Sequence, residues 1–106
     1  MSEDQGFVLH PQAAQDITDI WEFLAAANPL AARRVREDIL AAIRALVPFP
    51  HQGHRRPALT SRPLRFTTVR DYLIAYAPDE RSLLVIAVLH GRRNPRVMAA
   101  IPRARE

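Results

Sequence analysis

The feature that most constrains the fold is an apolar run of seven residues in the last third of the sequence, followed at once by a basic cluster. The run is Leu83-Leu84-Val85-Ile86-Ala87-Val88-Leu89, and it ends in His90-Gly91-Arg92-Arg93-Asn94-Pro95-Arg96. Consecutive apolar residues, several of them β-branched, indicate a strand that is buried on both faces of a sheet. A central strand with this ending places positive charge at the rim of the sheet. Such a rim suits an anionic partner, either a phosphate backbone or an acidic protein segment.

Length and composition predict one domain over residues 1–106, with an acidic and flexible N-terminus at 1–6. The net charge is +4, and every one of the 15 basic residues is arginine. There is no cysteine, which excludes disulfides and cysteine-ligated zinc and fits a reducing compartment. No stretch approaches the roughly 20 apolar residues of a membrane span, and no signal peptide is evident. We therefore expect a cytoplasmic protein without a membrane partner.

No motif for a cofactor is present, because the sequence lacks a GxGxxG fingerprint, a P-loop and a cluster of metal ligands. His51 and His54 are three positions apart and could in principle bind a metal ion. Since no cysteine or carboxylate stands near them in the sequence, solvated loop residues are the simpler interpretation. We predict no cofactor and no metal site.

Two helices are predicted in the first half. Phe7 to His10 is a short first strand, and Pro11 suits the first turn of a helix. This helix has an apolar stripe that places Trp21 in the core, whereas Asp16, Asp19 and Glu22 fall mostly on the other side. Asn28 and Pro29 mark the start of a second helix, as its N-cap and its first residue. Pro48 and Pro50 end this helix. The two stripes are Ala13, Ile17, Ile20, Trp21 and Leu24, then Val35, Ile39, Ala42, Ile43 and Leu46.

Three strands are predicted after a proline-rich loop over 48–63, at 64–70, 72–77 and 83–89, in an antiparallel meander. The fold class is α+β in the order β-α-α-β-β-β, with an antiparallel helical hairpin packed on one face of an antiparallel sheet. A short helix is possible over 94–101. If Phe66 faces the helices, Arg65 points to the open face of the sheet.

The whole pattern resembles the toxins of the ParE/RelE superfamily from bacterial type II toxin–antitoxin modules. The resemblance rests on the element order and on several motifs. These are Leu9-His10-Pro11-Gln12-Ala13 leading into Asp16-Ile17-Thr18-Asp19-Ile20, then Leu64-Arg65-Phe66, Tyr72-Leu73-Ile74-Ala75-Tyr76, and Val88-Leu89-His90-Gly91-Arg92-Arg93-Asn94-Pro95. The closing motif looks more like the ParE branch than the RelE branch.

This resemblance implies one of two activities on the same fold. ParE-like toxins inhibit DNA gyrase, whereas RelE-like toxins cleave mRNA on the ribosome without a metal ion. Cleavage of RNA would use Arg65, His90 and Arg93, but the aromatic group that many RelE-like toxins carry near the C-terminus is missing from Arg96-Val97-Met98-Ala99-Ala100-Ile101. Gyrase inhibition is therefore favoured. A non-toxic module that binds an antitoxin is a further alternative.

The resemblance also implies a cognate antitoxin that wraps the toxin and contacts operator DNA on its behalf. We expect acidic residues in the wrapping segment, opposite the arginines of the toxin. The residues expected to bind the target or the antitoxin are Arg65, Arg70, Tyr72, His90, Arg92, Arg93 and Arg96.

Overall fold

The structure is a computed structural model that describes residues 6–57, 59–79 and 81–91. Its elements follow the predicted order β-α-α-β-β-β, which confirms the α+β class. They are β1 (Phe7–Leu9), α1 (Pro11–Ala25), α2 (Pro29–Leu46), β2 (Arg65–Val69), β3 (Tyr72–Ala77) and β4 (Leu83–His90). The short helix expected over 94–101 lies outside the described residues. Within the described ranges, no helix is both long and apolar enough to cross a membrane.

Side-chain caps fix the first turn of both helices. The His10 Nδ1 atom accepts a hydrogen bond from the backbone N–H of Gln12 at 3.0 Å, and Pro11 is the first residue of α1. The Asn28 side chain accepts from the N–H of Ala31 at 3.1 Å, and Pro29 begins α2. Proline fits there because the N–H it lacks has no partner within the helix. The predicted start of the second helix at Asn28 is confirmed.

The four strands form one sheet in the order β1-β4-β3-β2, so β4 is a central strand as predicted. The pairs β2–β3 and β3–β4 are antiparallel, which confirms the meander. β1, in contrast, runs parallel to β4, with Phe7 opposite Leu83 and Leu9 opposite Val85. The prediction of a wholly antiparallel sheet was wrong at this pair. A three-residue strand carries no signal of direction, and the long connection between β1 and β4 allows a parallel pairing.

Both faces of the sheet carry a hydrophobic cluster. The larger cluster lies between the sheet and the two helices, and the smaller one lies on the opposite face, under the segment that leads into β2. The largest fully buried side chains of the larger cluster are those of Ile39, Ile43, Ile74, Tyr76, Val85 and Val88. The smaller cluster is formed by Leu64, Phe66, Leu73 and Ala75, with Leu59, Ala77 and Ile86 packed against it. The face away from the helices is therefore partly covered.

The burial of β4 differs between its two faces. Leu83, Val85 and Val88 are buried on the helix side, whereas Leu84 and Ile86 are only half-buried. The pairing with β3 shifts register between Ala75 and Tyr76, which marks a β-bulge in the strand pair. The prediction that β4 is buried on both faces is confirmed in full only for the face toward the helices.

Helix α1 packs most of its predicted apolar stripe against the core, but it buries the opposite flank of that stripe from the one predicted. Asp16 is 2% exposed, whereas Trp21 is 41% exposed, so placing Trp21 in the core and Asp16 in solvent was wrong. At about 100° per residue, these two side chains lie roughly 70° to either side of the centre of the apolar stripe. The pattern of the helix alone is therefore nearly symmetric, and the position of β4 decides which flank is buried.

The buried Asp16 carboxylate completes the pairing of β4. The N–H of His10 donates to the carbonyl of Val85 at 2.8 Å, and there β1 gives way to α1. Further along β4, the N–H of Val88 donates to Asp16 Oδ2 at 2.9 Å, and the Gln12 side chain donates to Asp16 Oδ1 at 2.8 Å. A carboxylate from α1 thus accepts the hydrogen bond that a longer β1 would have accepted.

We predict that Asp16→Ala lowers the free energy of unfolding by about 2–3 kcal/mol, because the buried N–H of Val88 loses a charged acceptor. Urea denaturation followed by circular dichroism would measure the change. Asp19→Ala, an exposed aspartate on the same helix, is the matched control and should change stability by less than about 0.5 kcal/mol. Equal effects of the two substitutions would contradict the assigned role of Asp16.

Candidate functional site

The predicted site residues that the structure brings together lie where β4 ends beside the β2–β3 turn. The turn consists of Arg70 and Asp71, and the N–H of Gly91 donates to the carbonyl of Asp71 at 2.8 Å. Tyr72 and His90 are paired across β3 and β4, with ring centroids 5.5 Å apart and an interplanar angle of 77°. This edge-to-face contact orients both rings. We call Arg70, Asp71, Tyr72, His90 and Gly91 the sheet-end surface.

Arg70 has an unusual backbone conformation for a residue with a side chain. Its φ of +55° lies in the left-handed region, which favours glycine and is common at two-residue hairpin turns. The Arg70 Nε atom donates to Asp38 Oδ2 at 2.7 Å, and both side chains are about half exposed. An exposed pair of this kind contributes about 0.2–1 kcal/mol. The pair ties the sheet-end surface to helix α2.

Arg65 is at the other end of the sheet. Val69, not Arg65, lies opposite Tyr72, and Arg65 lies opposite Tyr76. The two ends of β2 are roughly 13 Å apart along the strand, at about 3.3 Å per residue. The Arg65, His90 and Arg93 set proposed for RNA cleavage is therefore divided, because Arg65 and His90 do not converge on one point. Arg93 lies outside the described residues, as do Arg92 and Arg96.

The condition on which the predicted orientation of Arg65 depended, that Phe66 faces the helices, is not met. Phe66 belongs to the smaller cluster on the face away from the helices, so its neighbour Arg65 points to the helix side of the sheet. There Arg65 is half-buried, and its guanidinium donates to the carbonyl of Gly53 at 2.8 Å. This contact holds the loop that follows α2.

Tyr76, which is not among the predicted site residues, holds the same loop in place. Tyr76 is fully buried, and its hydroxyl oxygen accepts a hydrogen bond from the N–H of Gly53 at 2.9 Å. A Cβ atom at Gly53 would lie 2.4 Å from that oxygen and 2.8 Å from the carbonyl oxygen of Phe66, so only glycine fits. Burial raises the pKa of the Tyr76 phenol, while the Gly53 N–H and the charge of Arg65 act in the opposite direction.

The loop histidines do not form a metal site with one another in the described structure. His51 Nε2 lies 2.8 Å from Asp79 Oδ1, and both side chains are mostly exposed. His54 pairs with Phe66 through two backbone hydrogen bonds. No three metal-binding side chains cluster anywhere in residues 6–57, 59–79 and 81–91.

A cleft of about 290 Å³ opens between α1 and the ends of β3 and β4. We call it the α1–β4 cleft. Tyr72 and His90 form part of its wall on the sheet side, so the sheet-end surface extends into it. The helix contributes Asp16, Asp19, Ile20 and Phe23, and Phe23 is 79% exposed. Sequence reasoning missed this cleft, although an exposed phenylalanine on the polar side of an amphipathic helix was a signal that could have drawn attention to it.

The family model described as the ParE toxin of type II toxin–antitoxin systems, parDE, matches residues 7–95. The chain belongs to the ParE toxin family. The expected ParE-like resemblance is thereby confirmed, and membership in a family of toxin–antitoxin systems implies an antitoxin partner.

A solved structure of the chromosomal ParDE toxin–antitoxin system from P. aeruginosa has a chain with a similar fold. The TM-score is 0.67, and the match covers 77% of this chain and 90% of that chain. The sequence identity is 18%, so this likeness supports the fold and nothing finer. No sequence among the curated proteins matches the chain at a significant level.

We predict that the Tyr76 phenol of this ParE family member ionises above its usual range in the folded protein, because burial raises its pKa. A raised native pKa means that the Tyr76 phenol keeps its proton while an unfolded chain loses it, so stability is retained below about pH 10 and falls as the pH rises above it. Absorbance at 295 nm during an alkaline titration would follow the ionisation of the phenols.

Tyr76→Phe should remove the phenol that ionises above the usual range and, near pH 7, lower the free energy of unfolding by about 1–3 kcal/mol, because the buried N–H of Gly53 loses its acceptor. Tyr72→Phe is the matched control and should leave that phenol in place. A titration above the usual range that persists in Tyr76→Phe and disappears in Tyr72→Phe would contradict the assignment.

Proposed function

We propose that this protein is the toxin of a type II toxin–antitoxin module that acts in the cytoplasm by inhibiting DNA gyrase. A cognate antitoxin neutralises it and contacts operator DNA on its behalf. The observation that carries the proposal is the match of residues 7–95 to the ParE toxin family. No cofactor or metal ion is needed for this activity, because an inhibitor acts by binding.

The separation of the RNA-cleavage candidates supports binding over catalysis. Cleavage of RNA without a metal ion requires a base for the 2′-hydroxyl, cations for the phosphorane and an acid for the leaving oxygen, all around one phosphate. Arg65 and His90 are at opposite ends of the sheet, and Arg65 is engaged by the carbonyl of Gly53. Residues 96–101 offer no tyrosine, histidine or carboxylate as a substitute. A RelE-like ribonuclease is the alternative that this arrangement disfavours.

The sheet-end surface is the part of the toxin that we assign to binding the target or the antitoxin. It combines the cation of Arg70 with the aromatic rings of Tyr72 and His90, and the chain continues from Gly91 into Arg92, Arg93 and, further on, Arg96. Arginine and aromatic side chains are the residue types that most often dominate the energy of protein interfaces. Arg65 is left out of this assignment, because it supports the loop at the other end of the sheet.

The proposal predicts that the purified protein inhibits supercoiling by DNA gyrase and traps cleaved DNA, and that Arg92→Ala/Arg93→Ala reduces the inhibition by about tenfold or more, as expected for lost interface hot spots. Arg33→Ala/Arg36→Ala is the matched control, because it removes the same charge from exposed positions of α2. A gyrase from the matching host should be used.

An equal loss of gyrase inhibition in both double variants would indicate a general charge effect and would contradict the assigned surface. Absence of inhibition by the folded wild-type protein would contradict gyrase as the target. Cleavage of mRNA in a translating ribosome extract would then identify the ribonuclease alternative. Normal growth of cells that express the protein without an antitoxin would identify the non-toxic binding module.

Arg70→Gly offers a second test of the same surface with little cost to the fold. Glycine relieves the left-handed strain but loosens the unfolded chain and removes the pair with Asp38, so we expect the free energy of unfolding to change by less than about 1 kcal/mol. If Arg70 contacts the target, gyrase inhibition should fall while thermal unfolding is nearly unchanged. Unchanged inhibition would exclude Arg70 from the surface.

A further inference from the structure

The described lining of the α1–β4 cleft contains one exposed carboxylate, that of Asp19, and no arginine. Asp16 also lines the cleft, but it is 2% exposed and both of its oxygens accept hydrogen bonds from the protein, so it serves the fold. Asp19 holds a hydrogen bond at 2.8 Å from the Gln15 side chain on the same exposed side of α1. The cleft thus offers an exposed anionic group on a protein whose net charge is +4.

Apolar and aromatic groups form the rest of the cleft. Ile20 provides half-buried aliphatic surface, and the rings of Tyr72, His90 and Phe23 stand around it. Phe23 is 79% exposed at the helix side. A large aromatic side chain at such exposure is typical of a surface that a partner covers.

We propose that the α1–β4 cleft binds an arginine side chain of a protein partner, flanked by aliphatic residues. The aliphatic stem of an arginine can pack on Ile20 while its guanidinium reaches the Asp19 carboxylate. A planar guanidinium can also stack on the rings of Phe23 and Tyr72, which favours arginine over lysine. The volume of the cleft, about 290 Å³, is sufficient for one such side chain and its neighbours but is small for a folded element.

The cleft differs in chemistry from the cation of the sheet-end surface. Arg70 of that surface suits an acidic residue of a partner, whereas the cleft suits a basic residue. Because the cleft and the sheet-end surface share Tyr72 and His90, a segment that bears both charges in the right order would match both. The inference does not require gyrase to be the target, so its failure would leave the proposed function intact.

Peptide binding to the full chain tests the proposal. The probe is the acetylated and amidated pentapeptide Ala-Leu-Arg-Leu-Ala, compared with the same peptide carrying citrulline, which has the size of arginine without its charge. Backbone amide shifts in nuclear magnetic resonance report both affinity and location. We expect the arginine peptide to bind about tenfold more tightly than the citrulline peptide, with shifts centred on Ile20, Phe23 and Val88.

Asp19→Asn should remove this preference for arginine while keeping the hydrogen-bond acceptor at that position. Asp79→Asn is the matched control, because it removes one exposed carboxylate elsewhere on the surface, and it should keep the preference. Thermal unfolding checks that both variants are folded. Equal binding of the two peptides to the wild type, or equal loss in both variants, would overturn the proposal.

The arginines of the chain itself are the competing occupants. If replacing Arg92, Arg93 and Arg96 by alanine raised the affinity for the arginine peptide by about tenfold or more, the cleft would be occupied by the protein's own tail rather than by a partner, and the proposal would be overturned. Unchanged affinity in this triple variant would support a partner as the occupant.

Discussion

The hydrogen bond from the Val88 N–H to the Asp16 carboxylate is the contact on which the arrangement of helix and sheet depends. β1 pairs with only the first part of β4, and beyond it a buried N–H of a central strand needs an acceptor. Because α1 supplies that acceptor, the helix is fixed in both rotation and height along β4. That rotation buries Asp16, exposes Trp21 and turns Ile20 and Phe23 toward the end of the sheet. The cleft and the sheet-end surface both follow from it.

The sequence pattern predicted the elements because each is marked by local chemistry. Asn28-Pro29 and Pro48 bound α2, and the apolar run from Leu83 to Leu89 can only be a central strand in a chain of this size. The direction of a strand and the rotation of a helix about its axis, in contrast, depend on the elements that pack against them. Asp16 and Trp21 flank the apolar stripe equally, and only the unpaired N–H on β4 makes the carboxylate the better choice for burial.

The part of the candidate site that depends on local pairing could be predicted, and the part that depends on tertiary contacts could not. Tyr72 and His90 are brought together because the register of a short hairpin follows from the spacing of its strands. The face of the sheet to which Arg65 points depends on the face that Phe66 occupies. Each face carries an apolar cluster that a phenylalanine could join, so the sequence did not decide between them. The α1–β4 cleft was not predicted, since its lining comes from three elements whose rotations are set by tertiary contacts.

The parallel pairing of β1 with β4 also has a consequence for the order in which the chain acquires its structure. The Asp16–Val88 hydrogen bond joins residues 72 positions apart, and β1 waits for a partner that is synthesised long after it. The helical hairpin contains mainly local contacts and can form early, whereas the sheet cannot close until β4 has left the ribosome. We therefore expect the nascent chain to remain without its sheet-end surface during most of its synthesis. Folding itself then sets the earliest moment at which this protein can engage a target.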